Sequence, residues 1–213
     1  MLQLKFSKPP RPLSILCLGA HSDDLEIGCG GTVLRLLAEC EAVVRWVVLG
    51  CSGQRSEEAR QSAESLLDAA RERQVEIKGF RDGFFPYLGG EIKEAFEELK
   101  GQVSPDLIFT HTRNDLHQDH RLVNELTWNT FRNHLILEYE IPKYDGDLGS
   151  PNLFVRLDDV VVEKKIRHLM EFFSTQRDKR WFDEETFRGL LRLRGVEAGE
   201  RYAEGFYCRK IIL

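Results

Sequence analysis

Two short stretches of this chain concentrate side chains that can bind a metal and move protons. Residues 19–24 read G-A-H-S-D-D, which places His21 and Asp24 three apart with Asp23 between them. A tight turn can aim both outer side chains at one point, and an imidazole nitrogen with a carboxylate oxygen suits zinc. Asp23 can then point elsewhere, toward the water of that metal. Taken alone, H-x-D-D is equally consistent with two solvated carboxylates capping the next helix. Residues 110–120 read T-H-T-R-N-D-L-H-Q-D-H, with three histidines (His111, His117, His120) and two aspartates (Asp115, Asp119) inside ten residues. His117 and His120 can share one face of a helix start, one toward metal and the other toward substrate. Asp119 can accept a hydrogen bond from a histidine ring. The competing reading is a solvated polar loop or a histidine satisfied by backbone, and the presence of two such clusters weighs against it. His134 and His168 have no such company and read as structural or surface residues.

The frame these residues need is an alternation of strand and helix. Residues 13–20 (LSILCLGA) form a nearly continuous apolar run, as in a strand covered on both faces. The spacing predicts a helix over 32–40, a strand over 42–49, a helix over 57–74, a short strand over 75–80 and a helix over 91–100. A strand over 106–111, a helix over 120–131 and a strand over 135–139 follow. Later come a strand over 153–157, a helix over 162–176 and a strand over 205–213. Such alternation gives an α/β protein, a Rossmann-like, mostly parallel sheet with helices on both faces. One domain is expected over 1–213, with core sheet and site in roughly 1–144 and a small C-terminal cap with closing elements in 145–213. Both His/Asp clusters directly follow strands, and ligands of parallel sheets bind beyond the carboxyl ends of the strands. Arg55, in the loop 51–56, follows another strand and is a candidate contact for a substrate hydroxyl or phosphate, against the reading of a solvated arginine before a helix. Tyr202 is a candidate only if the C-terminal residues fold back.

The 213 residues are 42% hydrophobic and 31% charged, the profile of an ordinary globular protein, and the formal net charge of -5 gives no reason to expect nucleic acid or an anionic membrane as partner. The N-terminal MLQLKFSKPPRP lacks the apolar core of a signal peptide, and no apolar run approaches a membrane span. Five cysteines, an odd count with no C-x-x-C pair, fit a reduced protein. A cytoplasmic location is expected, and homo-oligomerisation is compatible with these features. The stretch Gly28-Cys29-Gly30-Gly31-Thr32 fails the dinucleotide pattern G-x-G-x-x-G because Val33 stands where the third glycine belongs. These glycines are expected to let the chain turn beneath the site, with Thr32 near the helix start.

The segment A-H-S-D-D-L-E-I-G-C-G-G-T resembles the A-H-P-D-D…G-C-G-G-T signature of the LmbE-like, PIG-L-type N-deacetylases, and H-Q-D-H matches the second motif of that family, H-x-D-H. P-N-L-F-V from Pro151 and Y-A-E-G-F at 202–206 extend the resemblance. It implies a Rossmann-like sheet and one zinc ion per chain, held by His21, Asp24 and His120, with other divalent transition metals able to take the same donors. It further implies Asp23 as general base and a protonated His117 stabilising the charge on the carbonyl oxygen. The implied substrate is a small N-acetylated sugar or related amide of the N-acetylglucosamine type. One departure stands in the first motif, where Ser22 replaces the usual proline.

Two other readings are open at this level. A metal phosphoesterase would need a second metal and would draft Asp115 and Asp119 as ligands. A nucleotide- or S-adenosylmethionine-binding protein would use the Gly30-Gly31 turn, leaving both His/Asp clusters without a purpose. The loops 81–90 and 139–150 carry no decodable substrate signature, and Phe84, Phe85 and Tyr87 read as either a sugar-stacking wall or core.

Overall fold

The structure is a computed structural model and describes residues 11–212, so most of the N-terminal segment MLQLKFSKPPRP lies outside the described residues. Strand β1 (Leu13–Gly19) sends alternate side chains to opposite faces of a sheet. Ile15 and Cys17 enter one apolar layer with residues of α1 (Asp24–Glu39), α2 (Gln54–Leu66), α5 (Asp159–Phe172) and α6 (Glu184–Ala198). Leu16 and Leu18 enter the other, beneath α3 (Gly89–Gln102) and α4 (Gln118–Phe131). Burial on both sides explains why the strand reads as a continuous apolar run rather than an alternating one.

The sheet has seven strands in the order β3-β2-β1-β4-β5-β7-β6. Strands β2 (Ala42–Val48), β3 (Glu72–Ile77), β4 (Leu107–His111) and β5 (Leu135–Tyr139) join β1 in parallel. Strand β7 (Tyr202–Cys208) runs antiparallel between β5 and β6 (Leu153–Leu157). The residues after 144 therefore extend the sheet at one edge while α5 and α6 cover a face. Because β2 lies on one side of β1 and β4 on the other, the strand order reverses at β1. The loops after β1 and β4 flank the crevice where such a sheet binds its ligands.

Several elements differ from expectation. Helix α2 spans Gln54–Leu66 rather than 57–74, which puts Arg55 in its first turn instead of the loop 51–56, and β7 spans Tyr202–Cys208 rather than 205–213. Three further differences have clear physical reasons. Helix α1 begins at Asp24 rather than near residue 32, and the glycines lie inside it instead of forming a turn. Glycine disfavours a helix by about 1 kcal/mol relative to alanine, but here packing decides. A Cβ at Gly28 would stand 2.1 Å from the Tyr139 ring, and one at Gly31 would stand 2.5 Å from Leu157. The Glu204 carboxylate also accepts from the Gly31 and Thr32 amides at 2.8 and 2.7 Å, and Lys165 bridges Glu204 to the Ile27 carbonyl at 2.5 Å each. Strand β3 occupies Glu72–Ile77 rather than 75–80; it is a polar edge strand with a weak apolar pattern. Helix α6 has no counterpart in the expected elements, although Asp183 caps it by accepting from the Thr186 amide at 2.6 Å and Gly199 ends it at φ 70°. Among the described residues no helix is long and apolar enough to cross a membrane, and all five cysteines are free.

Candidate metal centre and active site

The turn from β1 into α1 carries His21, Ser22, Asp23 and Asp24, all buried. Asp24 sits in the first helical turn and its Oδ2 accepts from the His21 amide at 2.6 Å, which folds the histidine back over the helix start. From the neighbouring strand, β4 ends at His111, and the following loop leads to His117 as N-cap of α4 with His120 one turn inside. His120 Nε2 lies 3.1 Å from His21 Nδ1 and 3.5 Å from Asp24 Oδ2, and His21 Nδ1 lies 3.4 Å from the same Asp24 oxygen. These three donors form a nearly equilateral triangle. Ligands on a tetrahedral zinc with bonds of 2.0–2.1 Å stand roughly 3.3–3.4 Å apart, so the set fits that ion without rearrangement.

The tautomers point the same way. His120 Nδ1 donates to Asp115 Oδ2 at 2.8 Å, leaving its Nε2 lone pair for the centre. His21 Nε2 faces two carboxylates, Asp82 Oδ1 at 3.1 Å and Asp119 Oδ2 at 3.2 Å. Burial opposes its charge, but Asp119, Asp24 and Asp82 raise its pKa well above the usual value, so Nδ1 holds a proton that a bound cation would displace. Once His21 Nδ1 gives up that proton, three donor atoms converge on one buried point, an arrangement that a cation satisfies. Burial and the neighbouring His111 push His120 down to about 3, so its ring is neutral. Burial opposes ionisation of Asp24, but the histidine rings packed around it, with hydrogen bonds from His111 and His21, hold its carboxyl well below the usual range.

Around this triangle the other residues take distinct places. Asp23 does not cap α1; its Oδ1 accepts from the Ser22 hydroxyl at 3.3 Å and its Oδ2 makes no hydrogen bond to any described residue. Burial, then the adjacent Asp24, raises its pKa. His117 is half-buried, with its ring centroid 4.8 Å from that of His21 and 4.6 Å from that of His120. Its Nδ1 accepts from the Asp119 amide at 3.3 Å, and burial, then His21, lowers its pKa. The ring is therefore neutral and carries its proton on Nε2, whereas the resemblance implied a protonated His117. Asp119 is buried, and besides His21 it accepts from the Gly83 and Phe85 amides at 2.7 and 3.1 Å, tying the 81–87 loop to the site. Arg55 donates to Ser22 Oγ at 3.3 Å and to Asp82 Oδ2 at 2.6 Å. Tyr202 is not brought to the cluster: its ring packs in the core beside Leu157, and its hydroxyl pairs with Arg188.

Three residues take roles that the sequence pattern did not assign them. Asp115 supports His120 and also accepts from the His117 amide at 2.8 Å and from Lys143 at 3.0 Å. Asp82, in the 81–90 loop for which the sequence offered no signature, bridges His21 and Arg55. His111 is fully buried, stacks on His120 at a centroid distance of 3.8 Å, and places Nε2 3.2 Å from Asp24. Its position at the end of β4 was the available signal. Of the aromatic residues in the 81–90 loop, Phe85 is core, while Phe84 and Tyr87 are exposed.

The chain thus has a Rossmann-like sheet with a buried His/Asp cluster, a candidate metal centre, at its switch point. The sequence matches the family described as PIG-L, GlcNAc-PI de-N-acetylase, over residues 16–131, and the chain belongs to that family. Solved structures share the whole fold. The conserved protein TT1542 from Thermus thermophilus is 21% identical with a TM-score of 0.71, over 94% of this chain and 96% of that one. The N,N'-diacetylchitobiose deacetylase from Pyrococcus horikoshii is 20% identical with a TM-score of 0.62, over 92% and 83%. The 4-carboxy-2-hydroxymuconate hydratase GalB from Pseudomonas putida is 18% identical with a TM-score of 0.66, over 94% and 98%. A deacetylase and a hydratase on one fold show that the reaction must be argued from the site.

Proposed function

We propose that this protein is a zinc-dependent hydrolase that removes the acetyl group from the nitrogen of a small N-acetylated sugar, one of N-acetylglucosamine type. The observation that carries the reading is the donor triangle of His21, Asp24 and His120 with the buried carboxylate of Asp23 beside it and the imidazole of His117 across from it. Family membership supplies the amide class, and the activity named for the chitobiose deacetylase supplies the sugar. A cation held by those three side chains would supply Lewis acidity to the attacking water and to the amide carbonyl.

The chain's own groups supply the rest. Asp23 takes a proton from the water as its oxygen bonds to the carbonyl carbon, and the raised pKa of this carboxyl suits a base working near neutrality. His117 donates its Nε2 hydrogen to the carbonyl oxygen as negative charge gathers there. Asp23 then passes its proton to the leaving nitrogen, the C–N bond breaks, and acetate and the free amine result. Arg55 and Asp82 at the rim are placed to meet substrate hydroxyls. The phosphoesterase alternative loses support because Asp115 and Asp119 are already engaged by His120, Lys143, His21 and backbone amides. The nucleotide alternative loses its loop, because Gly30 and Gly31 are buried inside α1.

The test is release of free amine from a panel of N-acetylated sugars by zinc-loaded protein, with Asp23→Asn alongside. The parent should release amine, and the variant should lose about 10²–10⁴-fold in kcat while keeping its zinc. Full turnover by a zinc-loaded Asp23→Asn would remove Asp23 as the base. A parent silent on every sugar amide would remove the substrate class.

A further inference from the structure

Ser22 stands where the resembling family has proline, and its surroundings show what a hydroxyl can do there that a proline ring cannot. The side chain is fully buried between Asp23 and Arg55. The Arg55 guanidinium is a donor only, so in the 3.3 Å contact with Nε the Ser22 oxygen must accept. The hydroxyl has one hydrogen, and the remaining partner is Asp23 Oδ1 at 3.3 Å. Arg55 therefore fixes the direction in which Ser22 donates. Arg55 is itself held by Asp82 Oδ2 at 2.6 Å, and Asp82 Oδ1 lies 3.1 Å from His21 Nε2. His21, Asp82, Arg55, Ser22 and Asp23 thus form a chain of contacts that begins at a metal-donor histidine and ends on the carboxylate beside it. The loops after β1 and β3 and the first turn of α2 all contribute. Among the described residues the Asp23 carboxylate makes no other hydrogen bond, and it makes no capping bond to α1; the Lys179 and Arg55 charges act on it only electrostatically.

We infer that Ser22 is a positioning residue: its hydroxyl, aimed by Arg55, holds Asp23 by Oδ1 so that Oδ2 is the oxygen turned to the attacking water. The inference rests on Asp23 being the base. Where the family pattern uses the rigid ring of proline to shape the turn, this chain uses a hydrogen bond to orient the carboxylate.

The experiment compares the zinc-loaded parent, Ser22→Ala, Ser22→Thr and Asp23→Asn on the N-acetylated sugar the parent cleaves fastest, and compares crystal structures of the parent and Ser22→Ala. A misdirected base leaves binding and metal in place and slows chemistry, so Ser22→Ala should lose about tenfold in kcat with KM and zinc content unchanged. Ser22→Thr, which keeps the hydroxyl, should recover most of that loss. In the Ser22→Ala crystal structure the Asp23 carboxylate should leave its parent orientation, a readout independent of turnover. The inference is overturned if Ser22→Ala keeps the parent kcat, if it loses zinc along with activity, or if Asp23 keeps its parent orientation. A dead Asp23→Asn beside a fully active Ser22→Ala would overturn the Ser22 role alone, whereas an active Asp23→Asn would overturn the base assignment and this inference with it.

Discussion

At the scale of single residues, the proposed mechanism separates groups that would hold a metal from groups that would handle the substrate, and the two kinds should fail differently. Asp115 touches no part of the donor triangle except His120 Nδ1, at 2.8 Å. Removing its charge with Asp115→Asn should weaken zinc binding about 10- to 100-fold, read by competition with a chromogenic chelator. Activity should return when zinc is raised. His117 is no member of the triangle and, in the proposed mechanism, offers an Nε2 hydrogen to the carbonyl oxygen. His117→Ala should keep zinc and KM and lose about 10²–10³-fold in kcat, read by steady-state kinetics on zinc-saturated protein. A His117→Ala variant that loses zinc instead would make His117 a ligand and displace one of the three named here. The two His/Asp clusters were legible in sequence because their spacing is local, H-x-x-D at 21–24 and H-x-x-H at 117–120, while the choice of His120 over His117 as a donor came only from the family resemblance. Asp82 and His111 were not, because their roles arise only when β3 and β4 bring them beside residues of β1's loop, some sixty and ninety positions away in the chain.

At the scale of elements, the glycines of α1 show how packing can override propensity, and two of them should respond with opposite sign. A Cβ at Gly28 would stand 2.1 Å from Tyr139 Cδ2, and Tyr139 cannot move aside without giving up the 2.8 Å bond from its hydroxyl to the Leu18 carbonyl. Gly28→Ala should therefore destabilise the fold by about 1–3 kcal/mol through overpacking. A Cβ at Gly30 would meet nothing closer than 3.5 Å, an ordinary contact, so Gly30→Ala should gain up to about 1 kcal/mol from helix propensity. Thermal melts of the two variants check both signs: Gly28→Ala should melt below the parent and Gly30→Ala above it. The same physics explains what sequence could and could not reveal of the elements. Buried strand β1 announced itself by a nearly continuous apolar run, β2 and β5 by mostly apolar ones, and the boundaries of β5 and β6 matched. The start of α1 did not, since three glycines in four residues read as a turn until Tyr139, Leu157 and Glu204 are seen pressing against them. Edge strand β3 did not either, since its half-exposed polar residues carry no period.

At the scale of the whole molecule, one face of the sheet carries four helices whose polar contacts are buried, and this gives the fold a pH dependence of its own, away from the metal centre. His168 on α5 meets the Ser62 hydroxyl of α2 at 2.8 Å, and Ser62 donates to Glu26 of α1 at 2.5 Å, so three helices are joined by one chain. Burial, then the nearby Lys164, pushes His168 down to about 4, against roughly 6.5 in an unfolded chain. Between those values the unfolded chain takes up a proton that the folded protein refuses, so this group costs stability as pH falls from about 6.5 to 4. Glu26 works in the opposite sense. Burial raises it to about 8, so its contribution is fully present below the usual carboxylate range and is lost as pH rises toward 8. The two partly cancel in the parent alone, and the informative quantity is a difference between proteins. His168→Gln keeps a donor for Ser62 and removes the titration. With both proteins stripped of metal, so that protonation of the donor triangle is common to each, urea unfolding at pH 7, 5.5 and 4 should show the variant gaining on the parent. The relative gain between pH 7 and 4 should be on the order of 3 kcal/mol, from about 1.4 kcal/mol per unit of displaced pKa. A difference that stays flat across the three pH values would mean that His168 accepts its proton in the folded state as readily as in the unfolded one, and that the α1–α2–α5 chain does not hold it neutral.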